Sequence, residues 1–180
     1  ISSNHLVEKI KTAYNRFGQD NSAVVCHSNK RAVKYNLQIR KMILGYFERL
    51  AVGERVMVVK NYRDQQLDEF GIPFIANGEI VKVISIGSEE KQDEFNFQQL
   101  VIQIEKLDGA MVEISILANL ATLTSHTPRF SPEDYKKLRS YRRKEYGHLP
   151  PGEIGEALKQ DPYLNALQIK YGYAFTCHKS

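Results

Sequence analysis

The 180-residue sequence has little of what marks secreted or membrane proteins. It has no tryptophan, and its two cysteines, Cys26 and Cys177, cannot build a disulfide framework, which favours a reducing, cytoplasmic compartment. No apolar run approaches the ~20 residues that span a bilayer. We therefore expect a soluble protein with no membrane partner.

Two familiar catalytic signatures are also missing. A G-x-x-x-x-G-K-[ST] phosphate loop does not occur, so the chain is not expected to hold a nucleoside triphosphate by itself. An Asp/Glu cluster suited to a two-metal nuclease does not occur either. We therefore predict that this chain alone is catalytically inactive, with no catalytic residue, no bound cofactor and no metal ion.

What the chain does contain is an apolar fraction sufficient for a core and a moderate excess of basic charge. Hydrophobic residues make up 42% of the sequence, and the formal net charge is +4. A packed core of one or two domains is expected at this length. The basic balance is compatible with a polyanionic partner such as nucleic acid.

The beginning of the chain predicts a helix followed by a strand. Ile10, Tyr14 and Phe17 recur at helical spacing and are predicted to face inward, with Gly18 ending the helix. The run from Ala23 to Cys26 is rich in β-branched residues and predicts a buried strand.

A second helix is predicted directly after this strand. Ser28 is a suitable N-cap, Val33, Leu37 and Leu44 are spaced to face inward, and Gly45 is a suitable end. A strand, a tight turn and a helix in that order are typical of an α/β domain.

The pattern then changes to four short strands, roughly over residues 53–120. Asn77-Gly78 and Asp108-Gly109 are dipeptides typical of hairpin turns. The spacing of strands and turns predicts a small antiparallel β-barrel.

A polar helical segment follows the barrel. Ser131 and Pro132 predict a helix start, Gly147 its end, and a shorter helix bounded by prolines comes next. One apolar strand, Leu167 to Phe175, then resumes the pattern of the beginning. We predict that the chain leaves an α/β domain, builds a barrel and a helical insertion, and returns.

Polar side chains follow both predicted α/β strands at their carboxyl ends, where ligands bind in open α/β sheets. Ser28, Asn29 and Lys30 come at a helix N-terminus, which favours phosphate. Thr176, His178, Lys179 and Ser180 follow the last strand and add hydroxyl and cationic donors. Such groups suit a phosphodiester backbone. Alternatively, Ser28 is only an N-cap, beside a solvated helix face.

The same two strand ends carry Cys26-His27 and Cys177-His178. Zinc is disfavoured, because adjacent strand residues point to opposite faces and structural zinc prefers Cys-x-x-Cys-like spacing. A catalytic thiolate needs a base and an oxyanion site, which the sequence does not indicate. Buried core cysteines are the preferred interpretation.

The helical segment offers a second candidate surface. Arg139, Arg142 and Arg143, with interleaved tyrosines, would support backbone binding and base stacking on a single strand. Tyr135 and Leu138 also fit an inward-facing stripe, so core packing by the same helix stays open.

Three stretches, in this order, resemble the motifs of one helicase family. "VVCHSNKRAVKYNLQIR" is similar to motif IV, "VGERVMVVKNY…FIANGEIVKVISIG" to its characteristic barrel segment, and "YGYAFTCHKS" to motif V. Together they resemble the C-terminal motor half of RecD-like and Pif-type DNA helicases of superfamily one, which include exodeoxyribonuclease V alpha-like proteins.

The resemblance implies a fold. It implies a discontinuous RecA-like domain of the P-loop NTPase type, the second of two motor domains, carrying an inserted Src-homology-3-like barrel. In these terms, residues 1–50 and 164–180 are the two parts of the RecA-like domain, residues 51–122 the barrel and residues 123–163 a helical insertion. The second part stops within motif V.

The resemblance also implies a function in a longer parent protein, an ATP-dependent DNA helicase of DNA repair that uses ATP and Mg²⁺. The implied partners are single-stranded or forked DNA and the first RecA-like domain of the same polypeptide. Thr176, His178, Lys179 and Ser180 would contact DNA or couple that contact to ATP. Asn29 would lie near the nucleotide cleft or the strand, and Asn77 on a barrel edge that holds DNA.

The sequence departs from the family pattern at several points. Position 28 is Ser where Thr is frequent, Val81-Lys82 stands where a second Gly is usual, and motif VI is absent. The helical insertion, residues 126–160, is longer than in simple barrels of the family. Two other interpretations stay open: a stand-alone, non-catalytic nucleic-acid-binding module and a protein-interaction barrel.

Overall fold

The structure is a computed structural model that describes residues 3–177. It is a mixed α/β structure with a closed five-stranded β-barrel. The helices are α1 (Ser3–Phe17), α2 (Asn29–Ile39), α3 (Gln65–Glu69), α4 (Pro132–Glu145) and α5 (Pro151–Gln160). The strands are β1 (Val24–Cys26), β2 (Arg55–Val58), β3 (Ile80–Gln92), β4 (Phe95–Glu105), β5 (Met111–Asn119), β6 (Leu167–Tyr171) and β7 (Ala174–Thr176).

The chain divides into two compact units, residues 1–51 with 171–180, and residues 52–170. We call them the α/β unit and the barrel unit. In the part of the chain that the structure describes, no helix has the length and apolarity needed to cross a membrane.

The α/β unit is built around a two-stranded parallel sheet. β1 pairs with β7, and Cys26 lies opposite Thr176 in the register. Because the strands are parallel, their carboxyl ends lie at the same edge of the sheet. The prediction that the two strand ends face the same way is confirmed.

The ends of α2 agree with the sequence pattern. Ser28 is extended, with φ −152° and ψ 150°, and its hydroxyl accepts a hydrogen bond from the Arg31 N–H at 3.4 Å. A π-helical turn, Arg40–Leu44, continues α2 to Gly45, whose φ of 71° is the left-handed conformation that glycine adopts at low cost. The predicted cap and end are confirmed.

Two side chains predicted to face inward do not do so. Phe17 is 55% exposed and Leu37 41% exposed, whereas Ile10 and Val33 are buried as predicted. The sheet of this unit consists of two three-residue strands, which are too short to cover the whole apolar face of each helix.

The barrel has the strand order β2-β3-β4-β5-β6. β3, β4 and β5 form an antiparallel meander, and the β4–β5 hairpin turns at Gly109, with φ 81°. From Gln98 onward, alternate residues of β4 are buried, and Ile102 is fully buried, whereas Phe95 and Phe97 belong to a separate cluster with the helical segment. The predicted antiparallel strands and the Asp108-Gly109 turn are confirmed.

The single strand predicted from Leu167 to Phe175 is wrong. β6 pairs in parallel with β5 in the barrel, and after a bend at Gly172 the short β7 pairs with β1. Residues from Leu167 to Ala174 are buried on both sides of the bend, so the hydrophobic pattern does not show the change of partner.

The helical segment packs against one end of the barrel. Ser131 caps α4 by accepting from the Asp134 N–H at 3.0 Å, as predicted. Leu138, completely buried, joins a cluster with Phe95, Phe97 and Phe130, against which Tyr135 also packs. The predicted inward stripe of this helix is confirmed.

Candidate nucleic-acid interface

The first candidate surface lies at the carboxyl ends of β1 and β7. We call it the strand-end edge and define it by Ser28, Asn29, Lys30 and Thr176. The Thr176 hydroxyl donates a hydrogen bond to Asn29 Oδ1 at 3.0 Å. Two polar residues separated by 147 positions in the sequence are thereby brought into direct contact.

Backbone geometry leaves polar groups of this edge facing outward. Ser28 and Lys30 are exposed, and Asn29 and Thr176 are half-buried. The Ser28 carbonyl accepts from Ala32 N–H at 3.0 Å, which starts the helical ladder. The first N–H groups of a helix carry a partial positive charge, so the edge favours an anion.

Basic side chains continue from this edge along α2. Arg31 and Lys34 are exposed, as is Lys30. Together they add positive charge near the helix N-terminus, where a polyanion would gain from both the side chains and the helix dipole.

A buried asparagine fixes the position of β7 relative to α2. Asn36 Oδ1 accepts from the N–H groups of Tyr173 and Ala174 at 3.0 and 2.8 Å, and Asn36 Nδ2 donates to the Ala174 carbonyl at 2.7 Å. These three hydrogen bonds fix the start of β7, the strand that contains Thr176. Our sequence reasoning gave Asn36 no role, although an amide among the buried positions Val33 and Ile39 is a signal of such a bond.

His178, Lys179 and Ser180, the remaining predicted residues of this edge, lie outside the described residues. The interpretation of both cysteines as buried core residues is confirmed for Cys26 and is wrong for Cys177, which is exposed beyond the end of β7. Burial raises the pKa of the Cys26 thiol, with Arg31 acting weakly in the opposite direction. A thiol held protonated is a poor nucleophile, which agrees with a packing role for Cys26.

The second candidate surface is the outer side of α4. Arg139 and Arg143 are exposed, and Lys136 shares their face because the three recur at i, i+3 and i+7. We call these three residues the basic face. Lys137, on a neighbouring row, is paired with Glu94 at 2.9 Å.

Arg142 differs from its two predicted companions. Its Nε donates to the fully buried carboxylate of Asp161 at 2.7 Å, and its Nη1 donates to Gln92 Oε1 at 2.7 Å. Its guanidinium also lies over the rings of Tyr163 and Tyr146, at 4.6 and 5.3 Å from the centroids. Arg142 therefore joins the helical segment to the β3–β4 hairpin, and we leave it out of the basic face.

Asn77, the predicted barrel contact, is exposed in the turn before β3. Its N–H donates to Asn61 Oδ1 at 2.8 Å, and Gly78 follows with φ 94°. The side chain of Asn77 is available to solvent, whereas that of Asn61 holds the turn.

A metal site receives no support from the geometry. Among residues 3–177, no three His, Cys, Asp or Glu side chains lie close enough together to hold an ion.

A scan against protein-family models finds no model that matches this chain, and a search of curated proteins returns no match. The strand-end edge and the basic face are therefore the candidate functional surfaces of this chain.

Proposed function

We propose that this chain is part of an ATP-dependent DNA helicase of the RecD-like and Pif-type branch. In this proposal the α/β unit is a portion of the second RecA-like motor domain, and the strand-end edge contacts the phosphate backbone of single-stranded DNA. The barrel unit is the domain inserted between the two sequence parts of the motor domain.

The observation that carries the proposal is the contact between Thr176 and Asn29. These residues belong to the stretches that resemble motifs V and IV, and the parallel pairing of β7 with β1 brings both to one sheet edge. Hydroxyl and amide groups beside a helix N-terminus are suited to binding the phosphate backbone of single-stranded DNA.

In this proposal ATP is bound by the parent protein and not by this chain alone. The sequence contains no phosphate loop, so binding of ATP and Mg²⁺ falls to the first RecA-like domain. The residues of this chain would bind single-stranded DNA and couple that binding to ATP hydrolysis in the first RecA-like domain. This chain by itself would be inactive as an ATPase.

Binding of labelled oligothymidylate, measured by fluorescence anisotropy over a series of salt concentrations, tests the grip. Phosphate contacts require the logarithm of the affinity to fall linearly with the logarithm of the salt concentration. Lys30→Ala is expected to lower that slope by about 1. Lys9→Ala removes an exposed lysine of α1 and is expected to leave the slope unchanged.

The coupling role needs the parent protein with its upstream domain. Thr176→Val removes the hydroxyl at similar volume, and we expect it to reduce stimulation of ATP hydrolysis by single-stranded DNA, whereas Thr176→Ser should retain it. Absence of oligothymidylate binding at low salt, or a Thr176→Val protein with full DNA stimulation, would contradict the helicase proposal.

The basic face supports a second candidate, a stand-alone nucleic-acid-binding module. Its three cations are exposed on one side of α4, within the barrel unit. The double variant Arg139→Ala/Arg143→Ala distinguishes the two candidates. If it abolishes oligothymidylate binding while Lys30→Ala has no effect, the module is the better description.

A further inference from the structure

A groove in the barrel unit is lined by none of the three residues of the basic face, although Pro132 and Tyr135 of α4 contribute to it. It consists of three neighbouring cavities of about 340, 180 and 260 Å³. Tyr62, Arg63 and Asn165 line both the first and second cavities, and Lys60 and Gln168 line both the second and third. Because neighbouring cavities share lining residues, we treat the three together and call them the barrel groove.

One wall of the groove is a stretch of β5 that does not pair with its neighbour β6. β5 pairs with β4 along its whole length, but with β6 only at Ala118 and Asn119. Ser115, Ile116 and Leu117, just before that pairing, line the first cavity. Over the described chain, this stretch of β5 therefore has a free side on which an extended peptide could add as a strand.

The floor of the groove holds a buried amide with an unused donor. Gln168 is 7% exposed, and its Oε1 accepts from the Phe130 N–H at 3.1 Å. Within residues 3–177, its Nε2 has no hydrogen-bond partner, while the residue lines two of the cavities. A buried amide that keeps a free N–H facing a cavity is suited to a carbonyl or carboxylate oxygen.

The charges around the groove select the partner. Lys60, Arg63 and Arg129 are exposed along its length. Asp64 is the one carboxylate in the described lining, and it already accepts from the Tyr62 hydroxyl at 3.0 Å and from the Gln66 N–H at 2.9 Å. The charge that remains free is positive, so an anionic partner is favoured.

The aromatic residues of the groove argue for a peptide over a nucleic acid. Phe130 is buried, with its ring edge-to-face with Phe95 at 5.1 Å, and Tyr135 packs on the same cluster. Tyr62 is also buried. Tyr135 is half-buried, so none of the three rings in the described lining is exposed, whereas single-strand binders stack bases on open aromatic faces.

We propose that the barrel groove is a docking site for an extended acidic peptide of a partner protein. The peptide backbone pairs with the free edge of β5 at Ser115–Leu117. Its carboxylates meet Lys60, Arg63 and Arg129, and one of its oxygens accepts from Gln168 Nε2. This surface is separate from the strand-end edge, so it adds a protein partner to the proposed function and does not depend on it.

The test uses the full chain and a labelled peptide of alternating aspartate and valine, with binding followed by anisotropy. Lys60→Glu/Arg129→Glu is expected to weaken binding about tenfold or more. Gln168→Glu keeps the acceptor for Phe130 N–H but replaces the free donor with a negative oxygen, so it should also weaken binding. Lys82→Glu, at an exposed position of β3 outside the groove, should leave the affinity within about twofold.

Two further probes decide the mode and the class of partner. The same peptide N-methylated at alternate residues keeps its charges but loses backbone donors, and we expect about a tenfold loss of affinity. Equal binding of the methylated peptide, or no binding of either peptide, would overturn the proposal. So would oligothymidylate that binds more tightly than the peptide and is equally sensitive to Lys60→Glu/Arg129→Glu.

Discussion

The two compact units hold their candidate functional residues by different means. In the barrel unit, α4 is fixed by a fully buried Leu138 and by the buried Arg142–Asp161 pair, and its basic face is carried on that rigid base. In the α/β unit, a two-stranded sheet of three-residue strands positions Thr176. Asn36 accepts from the Tyr173 and Ala174 N–H groups, and Asn29 accepts from the Thr176 hydroxyl.

The two surfaces therefore depend on different interactions and should respond differently to substitution. The basic face depends on burial and on one desolvated ion pair, so loss of that pair should loosen a whole segment. The strand-end edge depends on a few polar contacts between residues far apart in sequence, so single hydrogen bonds should alter it locally. Substitutions that remove one kind of support at a time test this distinction.

The largest effect is expected from Arg142→Met. The change leaves the fully buried Asp161 carboxylate without its cation, although Tyr146 and the N–H groups of Tyr163 and Leu164 still donate to it. Removing one partner of a buried pair costs about 3–5 kcal/mol. Hydrogen exchange of the β4 amides should report this loss of stability in the barrel unit.

Arg143→Met is the matched control, because it removes a neighbouring but exposed arginine. Its effect on β4 exchange should stay within about 0.5 kcal/mol. Equal effects of the two substitutions would mean that the buried pair does not fix α4, and the contrast between the units would then fail.

The sequence predicted local structure better than long-range pairing. Ser28 and Ser131 as caps, and Asp108-Gly109 as a turn, follow from chemistry within a few residues, and the structure agrees. The division of residues 167–175 between two sheets depends on partners more than forty residues away, to which an apolar pattern gives no access.

The candidate surfaces, too, were predictable from the sequence only in part. The parallel strand ends followed from the order of helix, strand and helix, and the contact between Asn29 and Thr176 lies where this order predicts. The three arginines of α4 look alike in the sequence, but only the structure separates Arg142 from Arg139 and Arg143. Its partner Asp161 is nineteen positions further along the chain, which periodicity within one helix cannot reveal.

The next effect in size is expected from Asn36→Ala. It removes the acceptor for Tyr173 and Ala174 N–H and the donor to the Ala174 carbonyl, all in a buried environment. A buried group left unpaired costs about 1–3 kcal/mol, and relaxation lets some find new partners, so we expect a loss of about 2–3 kcal/mol. Exchange of the Tyr173 and Ala174 amides should accelerate.

The β4 amides serve as the internal control for this variant, because they belong to the other compact unit. Their exchange should change little. If protection against hydrogen exchange falls equally in β4 and β7, the hydrogen bonds of Asn36 do not act locally. The two units would then not differ in how they are stabilised.

A smaller effect is expected from Thr176→Val. The hydroxyl donates to Asn29 Oδ1 at a half-buried position, and a neutral hydrogen bond of this kind contributes about 0.5–1.5 kcal/mol. Thr176→Ser keeps the hydroxyl and should recover most of this stability. Loss of β7 protection in the serine variant as large as in the valine variant would assign the effect to the methyl group instead.

The smallest effect concerns pH and the barrel unit. The Tyr163 hydroxyl donates to Glu90, and this hydrogen bond, with burial as a lesser cause, raises the pKa of Tyr163 from its ordinary 10.0 to about 12. A raised pKa in the folded state gives stability that is fully present below pH 10 and is lost as the pH rises to about 12.

Tyr163→Phe should therefore lower stability by about 1 kcal/mol at neutral pH, the usual contribution of one hydrogen bond. The difference between the two proteins should shrink between pH 10 and 12, and urea unfolding at several pH values measures it. Tyr141→Phe is the control, since over the described chain the Tyr141 hydroxyl has no hydrogen-bond partner, and it should change the free energy of unfolding by less than about 0.5 kcal/mol. A Tyr163→Phe difference that stays constant up to pH 12 would show that the bond to Glu90 does not form in solution, leaving Arg142 and Asp161 as the main polar support of the helical segment.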